Sequence, residues 1–123
     1  SPEADLTLIA NIVYMVNIQN TQTLIVTLPN SPQTGDIVRL LDVGGNLKYD
    51  TTLVVRTPET SGTPIQGDST GTLFGDRLTP YPSGELVVQT PNAAFALIYL
   101  GSTDSNDQIG IPTSVQGWWL MEV

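Results

Sequence analysis

The sequence predicts an all-β domain, an antiparallel β-sandwich or jelly-roll-like arrangement of about seven to nine short strands. Nine prolines and eleven glycines interrupt the 123 residues, and no segment sustains the apolar repeat of three and four that a helix needs. Short runs of Val, Ile, Leu, Thr and Tyr recur instead, each closed by a turn cluster. Charged residues make up only 13% of the chain, against a usual share of roughly 25%. Thr, Ser, Asn, Gln and Gly must then cover the surface, as they do in extracellular-type sandwiches, virion proteins and fibre domains.

Residues 1–20 form an N-terminal strand or linker region, in which Asn11 to Ile18 is the first clear strand. Gln22 to Leu28 follows across Gln19-Asn20-Thr21, which reads as a hairpin turn. Pro29-Asn30-Ser31-Pro32 then stops pairing, because a proline has no N–H to donate to a ladder. Asp36 to Asp42 is the next strand, ended by the turn signal Val43-Gly44-Gly45-Asn46. Thr51 to Thr57 is rich in β-branched residues and stops before Pro58. Residues 58–85 are irregular, with room for short strands at Thr63-Pro64-Ile65 and Thr72-Leu73-Phe74. Gly84 to Thr90 and Ala94 to Leu100 read as a hairpin across Pro91-Asn92. The polar loop Gly101 to Asp107 leads to a closing strand from Gly117 to Val123.

The whole, 1–123, is expected to be one domain. It opens on Ser1-Pro2 without a Met and closes on an apparent strand, which suggests a fragment of a longer chain.

Alternation sets Leu24, Val26 and Leu28 against Ile25, Val38 and Leu40 against Ile37 and Leu41, and Phe95, Leu97 and Tyr99 against Ala96, Ile98 and Leu100. Several strands are therefore apolar on both faces, whereas a two-layer sandwich should turn one face of each strand to water. A covering surface is implied: either segment 58–85 folded back, or another copy. A homo-oligomer is the preferred expectation. Its candidate interface residues are Leu41, Ile98, Leu100, Trp118 and Trp119.

Chemistry is sparse. The chain has no His and no Cys, which removes the usual general base, nucleophilic triads and zinc ligands. No enzymatic activity, cofactor or metal is expected. Asp36 with Asp42, or Asp68 with Asp76, is the nearest approach to a glycosidase pair, yet most acids stand beside turn residues. Asp104-Ser105-Asn106-Asp107 lacks the spacing and closing Glu of a calcium loop. The glycines have neither the helix nor the Lys that a phosphate loop needs.

Net charge is −8, and Arg39, Lys48, Arg56 and Arg77 are the whole cationic supply. Nucleic acid is therefore not an expected partner, and no apolar run approaches the roughly 20 residues of a membrane helix. Trp118 and Trp119 must point to opposite faces of a strand, one into the core and one onto a second surface. The alternative for the outward indole is a sugar-stacking surface with Tyr49 or Tyr81, and hence a host-glycan or receptor-binding module.

An ordered series of short motifs runs from Leu28-Pro29 and Ser31-Pro32 through Gly35-Asp36-Ile37-Val38, Leu41-Asp42-Val43-Gly44-Gly45-Asn46, Thr52-Leu53-Val54-Val55 and Ile65-Gln66-Gly67. It ends on Phe95-Ala96-Leu97-Ile98-Tyr99 and Trp118-Trp119-Leu120. The series resembles the middle β-domains of baseplate wedge and tail-fibre-connector proteins of T-even-like tailed phages. The resemblance covers roughly three quarters of the chain. It implies a non-enzymatic homotrimer in the virion tail, made in the host cytoplasm and joined to other tail or baseplate proteins. The stretch Gly67 to Gly84 is longer than that pattern.

Overall fold

The computed structural model describes residues 3–58, 65–66, 85–101 and 117–122. Those residues form nine strands and no helix: β1 (Glu3–Thr7), β2 (Ile12–Val16), β3 (Thr23–Thr27), β4 (Ile37–Asp42), β5 (Thr52–Arg56), β6 (Ile65–Gln66), β7 (Glu85–Val88), β8 (Ala94–Leu100) and β9 (Gly117–Glu122). They build a smaller sheet of four strands, β1-β3-β5-β7, and a larger sheet of five, β2-β4-β8-β9-β6. The possible strand at Thr72-Leu73-Phe74 lies outside the described residues.

Both sheets are mixed, which corrects the antiparallel expectation. β1 with β3, β3 with β5, β2 with β4 and β6 with β9 are parallel. The pairs β4–β8, β5–β7 and β8–β9 are antiparallel. Parallel neighbours have no place in a jelly-roll, whose sheets are antiparallel. They need a crossover, and for the three pairs among β1 to β5 one strand of the facing sheet supplies it. From β1 to β5 the chain alternates between sheets, each turn of the winding laying its strands beside those of the turn before.

Two expected hairpins are therefore arches between sheets. Residues 19–21 join β2 in the larger sheet to β3 in the smaller, and Pro91-Asn92 joins β7 in the smaller to β8 in the larger. Thr21 and Asn92 adopt positive φ, 65° and 59°, which swings the chain out of one layer and into the other.

The alternation expected from the sequence decides what lies between the layers. Val26, Val55 and Leu86 are in register across the smaller sheet, and Leu40 with Phe95, and Val38 with Leu97 and Leu120, across the larger. These side chains are buried in a single cluster with Leu8, Val16, Ile18, Leu28, Leu47, Leu53, Val88 and Trp118. Burying each side chain of this size contributes roughly 1.5–3 kcal/mol. The Tyr99 and Trp118 rings meet inside it at 5.3 Å with a 58° tilt, an arrangement favoured by their quadrupoles.

Candidate assembly face

The residues that alternate with the core define the outer face of the larger sheet. Ile37, Arg39 and Leu41 of β4 are half-buried between the buried Val38, Leu40 and Asp42. Register lines them up with their neighbours: Ile37 with Ile98 and Trp119, Arg39 with Val13, Ala96 and Met121, and Leu41 with Met15 and Ala94. Ala96 is buried yet outside the core cluster, flanked in the ladder by Arg39 and Met121. The result is a nearly continuous apolar surface with one guanidinium in its middle. Met15, at 71% exposure, and Val13 stand open at its β2 border.

Of the expected interface residues, Leu41, Ile98 and Trp119 stand on this face, and Leu100 continues the β8 row. Trp118 points the other way and is 1% exposed; it belongs to the core. Val13, Met15, Arg39 and Met121 join the face without having been singled out. The signal for the first two lay in Ile12–Val16 (IVYMV), where the same alternation applies.

Of the residues named for the alternative sugar platform, Trp119 and Tyr49 are not gathered in one place. Trp119 lies on the larger sheet, whereas Tyr49, 83% exposed, sits in the turn leading into β5 of the smaller one. Tyr81 lies outside the described residues, as do Asp68, Asp76 and Asp104 to Asp107.

Asp36 and Asp42 serve the backbone. Asp36 accepts the Gln33 N–H at 2.9 Å and the Asn11 side-chain amide at 3.3 Å. Asp42 is 4% exposed and accepts the backbone N–H groups of Gly45 at 3.2 Å, Leu47 at 3.4 Å and Asn92 at 3.0 Å. The two stand at either end of β4, about 20 Å apart at a strand rise of about 3.3 Å per residue. A glycosidase pair needs roughly 5–10 Å. Among the described residues, no group of three acids gathers to hold a metal ion.

A second opening lies at the β1–β2 side. Leu6 is in register with the buried Val26, and Ile12 with the buried Val38, yet these core-facing residues are 45% and 41% exposed. β1 and β2 are the outermost strands of their sheets among the described residues.

The architecture defines the class: a two-sheet all-β domain with mixed sheets and an apolar outer face. Neither the protein-family models nor the curated proteins compared with this chain match it.

Proposed function

We propose that this domain is a structural assembly module whose outer face on the larger sheet packs against another copy of the chain. The observation that carries the reading is the set of Leu41, Ile98, Trp119 and Met121 on one face, outside the buried core cluster. Strands of 5, 6, 7, 6 and 2 residues, at about 4.8 Å spacing and about 3.3 Å per residue, make a face of roughly 410 Å². Two surfaces of that size bury on the order of 800 Å² together, below the roughly 1,200 Å² of a stable protein interface, so assembly needs contacts beyond these strands as well.

The family resemblance narrows this to a homotrimeric part of a phage tail, a baseplate or fibre domain that joins tail components within the virion. Sedimentation equilibrium on the chain and on Leu41→Asp and Ile98→Asp tests it. A trimer that both substitutions dissociate supports the reading, and a trimer that survives both removes this face from the interface. A monomer at high concentration overturns it for this chain. Glycan recognition is the competing reading, and binding of the assembled protein to a glycan array would favour it.

A further inference from the structure

Arg39 stands out on the assembly face. The other cations among the described residues have acidic partners: Lys48 with Asp50 at 3.9 Å and Arg56 with Glu85 at 3.2 Å. Arg39 pairs with no described carboxylate, in a chain with twelve acids and four basic residues. It lies in the central row of the face, between Val13 and Ala96 in the ladder and between Ile37 and Leu41 along its strand. An arginine ringed by apolar side chains is the usual anchor of a protein interface, because its planar fork takes a carboxylate bidentately once water is excluded.

We infer that Arg39 is the specificity-determining residue of this face, receiving a carboxylate from a second copy of the chain in a heterologous contact. The inference rests on the assembly reading above and adds to it the partner group and the symmetry. A second copy fits on charge, since it brings a net −8 to a surface whose only charge among the described residues is positive. Symmetry follows from the same residue. Placing this face on itself about a twofold axis would bring Arg39 toward its own counterpart, and like charges in a drying interface repel. A heterologous contact sets Arg39 against a different, acidic part of the neighbour. Such contacts close into rings such as trimers when the rotation allows.

The test compares Arg39→Met and Arg39→Glu with Leu41→Asp by sedimentation equilibrium, after unfolding midpoints on the dilute monomer confirm that each variant folds. Arg39→Met keeps length and apolar area while removing the charge, which leaves the incoming carboxylate unpaired. Assembly at least tenfold weaker in Arg39→Met, and weaker still in Arg39→Glu, is the expected result. Arg39→Met assembling as tightly as the unchanged chain, or more tightly, overturns the pairing while Leu41→Asp still dissociates the oligomer. If Leu41→Asp assembles normally as well, the face itself is wrongly assigned and both readings fall together.

Discussion

The Oδ2 atom of Asp42 accepts the backbone N–H of Asn92 at 3.0 Å, so one carboxylate joins the end of β4 to the arch between the two sheets. The backbone N–H of Asp42 returns a bond to the Ala93 carbonyl at 2.9 Å. The same carboxylate also holds the Gly45 and Leu47 amides of the following turn. Removing it leaves three N–H groups without this acceptor, the Leu47 one buried and the other two part-buried.

Asp42→Ala is expected to cost about 3 kcal/mol, because a buried donor left without its acceptor carries a desolvation penalty of roughly 1–3 kcal/mol. Asp42→Asn should cost less, since one acceptor oxygen remains. Urea unfolding read by tryptophan fluorescence measures both. A loss below about 0.5 kcal/mol for the alanine variant would show that water replaces the carboxylate freely.

The adjacent tryptophans should behave as opposites. Trp118 fills the core against Tyr99, and Trp118→Ala is expected to cost about 3–5 kcal/mol of stability. Trp119→Ala, at a half-buried position, should cost the monomer less than Trp118→Ala and weaken assembly as well. Acrylamide quenching separates the two indoles in single-tryptophan variants. Trp118 should be protected at every concentration, and Trp119, half-buried in the single chain, should become more protected when the chain assembles.

Much of this was legible in the sequence, for one physical reason. Alternation of side chains is the same whether a strand's neighbours run with it or against it. Inward Val38, Leu40, Phe95 and Leu97 and outward Ile37, Leu41 and Ile98 could therefore be sorted from the chain alone. Strand direction could not. Gln19-Asn20-Thr21 is as short as a hairpin turn, and only the sheet order shows that it changes layer. β1 was similarly hard to read, since Glu3-Ala4-Asp5 lacks the β-branched residues that mark a strand. On the face, hydrophobicity drew attention to Leu41 and Ile98, whereas Arg39 is remarkable only for its surroundings, which register supplies.

The open border at β1 and β2 gives a matched pair of substitutions. Ile12 and Val38 are in register on adjacent strands and both face inward, but Val38 is fully enclosed while Ile12 is partly exposed. Val38→Thr buries a hydroxyl among apolar groups, and a cost of about 1–3 kcal/mol is expected. Ile12→Thr leaves its hydroxyl within reach of water and should cost less than about 1 kcal/mol in the monomer. Equal losses in thermal unfolding would mean that this border is covered in solution.

Thr51 provides a test of how the winding is held together. Its side chain is fully buried, accepts the Thr21 backbone N–H at 3.0 Å and donates to Asp50 Oδ1 at 3.1 Å. The first of these bonds fastens the arch between β2 and β3 to the residue that begins the run into β5. Thr51→Val preserves shape and removes the oxygen, so the Thr21 amide loses its acceptor at a left-handed φ of 65° that a threonine adopts only under constraint. A loss of about 1–2 kcal/mol is expected, with faster exchange of the Thr21 amide proton as the local signature. Thr51→Ser keeps the oxygen and should preserve slow exchange at Thr21, even if the missing methyl lowers stability. Equal exchange in the valine and serine variants would show that the arch is set by its own backbone and not by the Thr51 hydroxyl.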